Sequence, residues 1–279
     1  VIATGGRPRY LDIPGSEEFS ISSDDLFFRS EDPGKTLIIG GSYIAIEIAG
    51  ILINLGYEVS VLMRSEPLKD FDPFIVKLVI KNLESLGVTF IYNSLPIKIE
   101  LIKESDSELD KENLNNKKVT WQNVSDNTKI ENGLFQTVIQ AVGRIPNINS
   151  LNLTHIGLHI NSNNLKIPVR NFQTNIPNIY ALGDIIELKY PNNFFLELSP
   201  VAIKSGKVLA QNLYGKIIKS INFSLIPTTI FSPIQYSLIG LNQQQAEDKY
   251  GKKEVSTYHN YFPTLENKII DYNNLNKPK

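Results

Sequence analysis

The sequence predicts an α/β protein with a Rossmann-like nucleotide-binding domain, and three features of the chain lead to this prediction. The stretch "TLIIGGSYIAIEIAG", from Thr36 to Gly50, has the pattern of a buried strand that enters a helix through a glycine turn. Another strand and a further helix-strand unit follow it, as in a parallel sheet covered by helices. Beyond Asn93 the pattern changes to the alternation that is typical of antiparallel strands.

The first βαβ unit begins with the strand "KTLIIG". A helix is predicted from Ser42 to Leu55, and Gly56 is a suitable residue to end it. The strand "EVSVLM" comes directly afterwards. Because a helix separates the two strands, we expect them to lie parallel in one sheet.

The second helix has recognisable start and stop signals. Asp72 is placed to cap its N-terminus, Pro73 takes the first helical position, and Gly87 lies just past its end. The strand "VTFIY" follows. Antiparallel strands are predicted in "IKIELIK", "KKVTWQN" and "FQTVIQAVG", and the polar stretch "ESDSELDKENLNNK" is predicted to be a solvated loop.

The last part of the chain has its own strand and helix signals. "NIYALGD" is predicted to be a strand, and "LSPVAIKSGKVLAQNLYG" an amphipathic helix that begins at Ser199 or Pro200. Strands are predicted in "IPTTIFSPIQYSLIGL" and "EVSTYHNYF", on either side of the short helix "NQQQAEDKYG".

The composition is that of a soluble globular protein of about two domains, with 279 residues, 42% hydrophobic and 20% charged. Since 28 Lys and Arg balance 29 Asp and Glu, we expect no nucleic acid and no membrane as a partner. No apolar run reaches the roughly 18 residues of a membrane helix. The sequence has no cysteine, which excludes a disulfide or a thiolate metal site within it, and we predict no metal site.

The glycine turn has the spacing of a dinucleotide-binding fingerprint. Its three small-residue positions hold Gly40, Ser42 and Ala45, where the first makes the tight turn and the third keeps helix and strand close. Ser42 is small and could offer its hydroxyl to a phosphate. A glycine turn between a strand and a helix is also a common structural feature, so by itself this stretch leaves nucleotide binding open.

The end of the next strand, "VLMRSEPLK", favours NADP over NAD. Met63 stands where an acidic residue would bind the ribose hydroxyls of NAD. Arg64 and Lys69 could instead clamp an additional phosphate, one with a bidentate guanidinium and the other with a point charge. Glu66 lies between these two cations and acts against such a clamp.

Five segments in this order resemble the flavoprotein disulfide reductases, which have two dinucleotide-binding domains: "VIATGGRP", "GGSYIAIEIAG", "AVGRIPN", "NIYALGDI" and "LSPVAI". The resemblance covers nearly the whole chain. "SISSDDLF", "FLELSPVAI", "PTTIFSPIQYSLIGL" and "YHNYFPTLE" are more similar to the high-molecular-weight thioredoxin reductases than to glutathione reductases. The resemblance implies FAD and NADPH as cofactors, thioredoxin or a similar disulfide as substrate, and a homodimer in the full-length protein.

The resemblance also implies which residues surround NADPH. These are Gly40, Gly41, Ser42, Tyr43, Ile44, Ala45, Glu47, Arg64, Lys69, Gly143 and Arg144. Tyr43 resembles an aromatic gate over the flavin, and Glu47 would polarise the hydride-transfer site through a lysine that is not in this chain. Lys69 departs from the family, which usually has a second arginine there.

On the flavin side, the resemblance implies that FAD is bound by Thr4, Gly5, Gly183, Asp184, Glu197, Leu198, Ser199 and Pro200. Asp184 would bind the ribityl chain of FAD. A helix that begins at Ser199 or Pro200 would direct its free N–H groups and positive dipole end at the flavin, which stabilises the reduced ring.

The family's cysteine pair, its FAD pyrophosphate fingerprint and its His/Glu pair have no match in the chain, so we expect a central fragment of a reductase that is inactive alone. The three histidines, His155, His159 and His259, are predicted to be structural or exposed, the first two in a hairpin-like region and His259 on a strand.

The predicted domains are an end of the FAD domain with a linker (1–30), the NADPH domain (31–147), a returning FAD segment (148–221) and the start of a dimerisation domain (222–279). Glutathione reductase and dihydrolipoamide dehydrogenase are the alternative enzymes, and a non-catalytic NADPH-binding module is the alternative of another class. We expect a cytoplasmic protein, with mitochondrion and plastid left open because the N-terminus is missing.

Overall fold

The computed structural model describes residues 1–102, 116–187, 197–215 and 218–262. The chain divides into two compact units, of which the first is Val1–Gly240. The α-helices described in it are α1 Ser16–Phe19, α2 Ser23–Leu26, α3 Tyr43–Asn54, α4 Pro73–Ser85 and α5 Ser199–Tyr214. The predicted solvated loop in 104–117 lies almost entirely outside the described residues.

A five-stranded parallel sheet forms the centre of this unit. Its strands, in spatial order, are β2 Ile21–Ser22, β9 Thr137–Gln140, β3 Thr36–Ile39, β4 Val59–Leu62 and β5 Thr89–Ile91. The order passes from β3 to β4 on one side and to β9 on the other. Because the chain connections run in opposite directions from β3, a crevice forms at the carboxyl ends of these strands, and ligands bind at such crevices in open α/β sheets.

Both predicted helices of this region are confirmed. Ser42 and Leu55 are the caps of α3, and Gly56 beyond it has the left-handed φ of 92° that ends many helices. The Asp72 carboxylate accepts hydrogen bonds from the backbone N–H groups of Phe74 and Ile75. Pro73 is the first residue of α4, as the sequence predicts.

A separate antiparallel sheet is made of β6 Ser94–Leu101, β7 Lys117–Asn123 and β8 Ile130–Phe135. The sequence prediction is right for the first two strands and wrong for the third. "FQTVIQAVG" supplies β9, which pairs parallel with β3 in the central sheet. All four residues of β9 are buried, so it has no alternating burial pattern, and β8 is a strand that the sequence pattern does not predict.

Three shorter pairings complete the first unit. They are β1 Gly6–Pro8 with β10 Arg144–Pro146, β11 Ile167–Pro168 with β12 Ile186–Glu187, and β13 Thr228–Ile230 with β14 Tyr236–Leu238. The predicted strand "NIYALGD" forms only bridges, from Ala181 to Ile2 and from Tyr180 to Gln173. The helix α5 begins at Ser199, as predicted.

The hairpin of β13 and β14 packs on the helices of the parallel sheet. Ile230 and Tyr236 belong to the same hydrophobic cluster as the buried faces of α3 and α4. The ring of Tyr236 lies 5.6 Å from that of Phe71, edge to face, and its hydroxyl accepts a hydrogen bond from the backbone N–H of Asp72. A second cluster extends from Ile148 to Leu209.

Leu241–Lys279 forms the second compact unit. Its helix α6, Gln243–Tyr250, confirms the predicted short helix and begins with a capping box from Asn242 to Gln245. The strand predicted in "EVSTYHNYF" is wrong: the described residues there form only a 3₁₀ turn, Lys252–Glu254, and irregular chain. The four predicted domain segments remain predictions.

Candidate functional site

A cleft of about 400 Å³ lies at the carboxyl ends of β3, β4 and β9. It has lining residues from each of these strand ends, from the segment after β1, from the first residue of β13 and from the residues just before α5. The lining includes Arg9, Gly40, Gly41, Ser42, Tyr43, Met63, Arg64, Glu66, Lys69, Asp70, Ala141, Gly143, Glu197, Leu198 and Thr228. The structure therefore brings most predicted NADPH residues to one cleft, together with two predicted FAD residues.

The glycine turn holds the backbone close to the neighbouring strand. Gly40 has a φ of 131°, and a Cβ at this position would collide with the carbonyl oxygen of Ala141. Gly41 lies beside Pro67, whose Cα would be 3.4 Å from an added Cβ. Larger side chains at Gly40 and Gly41 would fill the space beside the turn. The two glycines therefore leave room for a bound group.

The N-terminus of α3 opens into the cleft without a side-chain cap. Ser42 is the N-cap residue, but its hydroxyl donates to the carbonyl oxygen of Ala141 at 3.2 Å. The role of this hydroxyl toward a phosphate stays a prediction. The unbonded N–H groups of the first helical turn, which includes Tyr43 and Ile44, remain as donors for an anion. Ala45 is fully buried against the sheet.

Tyr43 stands half-buried at the first position of α3 and lines the cleft. Burial raises the pKa of its hydroxyl, and the nearby charges of Glu197 and Glu47 raise it further. The hydroxyl is therefore neutral at physiological pH.

Glu47, one turn further along α3, has a partner that the sequence did not indicate. Its carboxylate accepts a hydrogen bond of 2.8 Å from the backbone N–H of Phe231, next to β13. Burial raises the pKa of the Glu47 carboxyl, and the Phe231 hydrogen bond opposes this increase.

Arg64 and Lys69 both line the cleft and are exposed to solvent. Met63 is 2% exposed and packs in the core, so the position at which an acid would face a ribose is apolar. Glu66 also lines the cleft, and so does Asp70, an acid that no sequence motif indicates.

Arg9 also lines the cleft, although it is not one of the site residues predicted from the sequence. It follows β1, and its backbone N–H donates to the carbonyl oxygen of Gly143 at 3.0 Å. The signal was the basic run "RPRY", which stands directly after the glycine pair of the first segment.

Arg144, predicted to reach the cofactor, is engaged elsewhere in this structure. Its guanidinium bonds both carboxylate oxygens of Asp24 in α2, at 2.9 and 3.4 Å, and the carbonyl oxygen of Gly6 at 2.7 Å. The Asp24 side chain is 54% exposed, so solvent screens this ion pair and it adds little stability.

Four of the predicted flavin residues, Thr4, Gly5, Gly183 and Asp184, follow an isolated β-bridge. Ile2 forms an isolated parallel bridge with Ala181, and Thr4 and Gly5 follow it on one segment as Gly183 and Asp184 follow it on the other. Both glycines have left-handed φ values, 65° and 78°. Ala202 of α5 packs 3.5 Å from the Cβ position of Gly183, which places the start of α5 beside this turn.

Acidic residues are concentrated near the start of α5. Burial raises the pKa of the Asp184 carboxyl, the charge of Glu197 raises it further, and those of Lys166 and Arg144 lower it. Lys166 was not predicted as a site residue, yet its ammonium lies 2.8 Å from the Glu197 carboxylate.

All three histidines are exposed, as predicted, but His155 lies in a 3₁₀ turn rather than a hairpin and His259 is outside any strand. Within the described ranges, no three His, Asp or Glu side chains come close enough to hold a metal ion. No helix in that part of the chain is both long and apolar enough to cross a bilayer.

Comparison with known proteins points to one family. The family model described as pyridine nucleotide-disulphide oxidoreductase matches residues 1–206. The chain is 39% identical over 268 residues to "Thioredoxin reductase SEP1" of Emiliania huxleyi, a match that covers 95% of this chain and 52% of that protein. The chain thus spans about half the length of this relative.

Proposed function

Because the chain belongs to the pyridine nucleotide-disulphide oxidoreductase family, we propose that it is the NADPH-binding part of an FAD-dependent disulfide reductase. Its substrate is thioredoxin or a similar disulfide protein, and the full-length protein is a homodimer. These proposals concern a longer protein, since the match covers 52% of the thioredoxin reductase named above.

The observation that carries the proposal is the turn from β3 into α3. Gly40 brings the backbone close to Ala141, and the first turn of α3 has no side-chain cap. Free N–H groups and the positive end of a helix dipole are what a pyrophosphate requires. A dinucleotide bound here would extend along the carboxyl edge of the sheet.

The choice of NADPH depends on the residues after β4. Arg64 and Lys69 are exposed cations on the wall of the cleft, and the buried Met63 offers no carboxylate to a ribose. A guanidinium and an ammonium suit a phosphate group. The acids Glu66 and Asp70 lie on the same wall and reduce its positive potential.

The flavin end is supported by the second group of residues. Thr4, Gly5, Gly183 and Asp184 follow one isolated β-bridge, next to the start of α5. FAD, when bound, supplies the two-electron acceptor for the hydride of NADPH. Tyr43 lines the cleft, and the charges of Glu197 and Asp184 act on its hydroxyl, whose pKa burial raises.

The first test is calorimetric titration of the 279-residue chain with NADPH and with NADH. We expect a preference for NADPH. Arg64→Ala should weaken NADPH binding by about 10- to 100-fold, because it removes one hydrogen bond to a charged group, and it should leave the affinity for NADH unchanged. Lys81→Ala, at an exposed position on α4, is the control.

Absence of binding, or a preference for NADH, would contradict the proposal. Assay of the full-length protein with thioredoxin, glutathione disulfide and lipoamide then separates the three enzyme substrates, and no turnover with any of them favours a non-catalytic module.

A further inference from the structure

A buried glutamine joins two distant segments of the chain next to the cleft. Gln140, the last residue of β9, is 2% exposed. Its side-chain oxygen accepts a hydrogen bond of 2.9 Å from the backbone N–H of Leu11. Its side-chain nitrogen donates to the hydroxyls of Ser16 and Ser20, which stand at the two ends of α1 and are both buried. These partners lie 120 to 129 positions away in the sequence, so no local pattern indicates the contact.

The partners determine which way the amide of Gln140 points. The backbone N–H of Leu11 can only donate, so the amide oxygen faces it. The amide NH2 then faces Ser16 and Ser20, whose hydroxyl oxygens can accept. Both ends of the amide are therefore paired, and a fully paired polar group in a buried site makes its surroundings rigid.

Burial alone would favour an apolar residue at this position. Val138, on the same face of β9 as Gln140, packs in a hydrophobic cluster with Leu37 and Phe135. Burying an amide costs free energy unless its hydrogen bonds are made, and an apolar side chain of similar size would avoid this cost. The hydrogen bonds of Gln140 are thus the property that distinguishes it from an apolar residue here.

The bond to Leu11 fixes one wall of the cleft. Arg9 and Leu11 both line the cleft, and so does Gly143, three residues after Gln140. The N–H of Arg9 donates to the carbonyl oxygen of Gly143, a contact between backbone atoms. The N–H of Leu11 donates instead to the side chain of Gln140. The position of Leu11 relative to the end of β9 therefore depends on the residue at position 140.

We propose that Gln140 is a positioning residue that holds the wall formed by residues 9–11 in place, so that the cleft has its shape before a ligand enters. A preformed site loses less conformational entropy on binding, which increases its affinity for the ligand. The ligand in this inference is the dinucleotide of the proposed function, on which the inference rests. Gln140 acts through the wall and not through a contact of its own with the ligand.

The first test is amide hydrogen exchange in the 279-residue chain, followed by NMR, for wild type and Gln140→Leu. The leucine removes the acceptor, so the N–H of Leu11 should exchange at least about tenfold faster. The N–H of Met63, which donates to Ile91 in the central sheet, reports loss of the whole fold and should change much less. Gln140→Glu keeps an oxygen for Leu11 and should hold its exchange rate to within about threefold of wild type.

Gln136→Leu is the matched control. Gln136 stands directly before β9, at the opposite end of the strand, and its side chain also accepts a hydrogen bond from a backbone N–H, that of Lys35. The control should leave the exchange of Leu11 unchanged.

The second test is calorimetric titration of the same variants with NADPH. Gln140→Leu should bind NADPH about three- to tenfold more weakly than wild type, because the wall has to be ordered on binding. Gln140→Glu and Gln136→Leu should bind NADPH to within about threefold of wild type.

Three results would overturn the inference: unchanged exchange of Leu11 in Gln140→Leu, equal acceleration of Leu11 and Met63, or unchanged NADPH affinity despite faster exchange. Should Gln140→Leu fail to fold, Ser16→Ala and Ser20→Ala replace it, since they remove the acceptors of the amide NH2. Unchanged exchange of Leu11 in both serine variants would then overturn the inference. A wild-type chain that binds no NADPH would instead overturn the proposed function, and the exchange of Leu11 would still decide whether Gln140 holds the wall.

Discussion

Gly40 stands at a point of the cleft where a side chain would not fit. Its φ of 131° lies in a region that favours glycine, and an added Cβ would meet the carbonyl oxygen of Ala141. The same turn is held by the hydroxyl of Ser42, which donates to that carbonyl. Two neighbouring residues thus connect the start of α3 with Ala141, the residue that follows β9.

Replacement of Gly40 by alanine should lower the free energy of unfolding by about 1–3 kcal/mol, because the strained φ and the clash act together. Gly206→Ala is a matched control. Gly206 lies inside α5 with no neighbouring atom within 4 Å of its Cβ position, so alanine should raise stability by about 0.5–1 kcal/mol. Urea unfolding of both variants measures the difference. Equal effects at the two positions would mean that the turn is not constrained as the structure indicates.

Local sequence motifs predict some residues of the site and not others. Gly40 and Arg64 follow from short motifs, because a turn and a strand end have local chemical signals. Arg9 does not, since it reaches the cleft from a segment distant in the chain, and neither does Lys166, which pairs with the cleft residue Glu197. Only the folded chain shows that these side chains converge.

Among the elements, the hairpin of β13 and β14 is the least expected. The sequence predicts its strands and assigns them to a dimerisation segment, an assignment that stays a prediction. In the structure, Ile230 and Tyr236 belong to the same hydrophobic cluster as the buried residues of α3 and α4. Gly50 in α3 allows this approach, since a Cβ there would lie 2.6 Å from the ring of Pro233. The hairpin also supplies the backbone N–H that bonds Glu47.

The adjacent residues Ile230 and Phe231 test this docking. Ile230 is fully buried and Phe231 is 64% exposed. Ile230→Ala should therefore lower the free energy of unfolding by about 2–5 kcal/mol, whereas Phe231→Ala should change it by less than about 0.5 kcal/mol. Chemical denaturation of the two variants is the measurement. Similar losses in both would show that the hairpin is not part of the core.

β9 and the segment "EVSTYHNYF" show why a local sequence pattern can predict the wrong strand pairing. β9 was placed in an antiparallel sheet because periodicity cannot tell a strand buried on both faces from its neighbours in sequence. "EVSTYHNYF" has strand-forming residues without a partner strand in the described structure. Strand propensity reflects how well a residue fits into an existing sheet, and a segment with high propensity still needs a partner strand.

At the scale of the whole molecule, the three hydrophobic clusters formed by the described residues lie within Val1–Gly240. In the second unit, α6 has no buried residue. The stability of the first unit therefore depends on residues up to the β13–β14 hairpin.

A chain that ends at Gly240 should unfold at the same temperature as the 279-residue chain, within about 2–4 °C. A chain that ends at Leu225 loses Ile230 and Tyr236 from the core, and its midpoint should fall by roughly 10 °C. Differential scanning calorimetry compares the three chains. A large decrease on removal of 241–279 alone would contradict this division.

The sequence by itself determined the fold class, the strand-turn-helix unit with its caps, and the cations after β4. These features arise from short-range chemistry, namely which residues can turn, cap or carry a charge. Only the tertiary structure decided the parallel pairing of β9, the docking of the hairpin, the pairing of Arg144 with Asp24 and that of Lys166 with Glu197. The physical reason is that these contacts join segments far apart in the chain, and their partners are chosen by burial and packing, which no local pattern records.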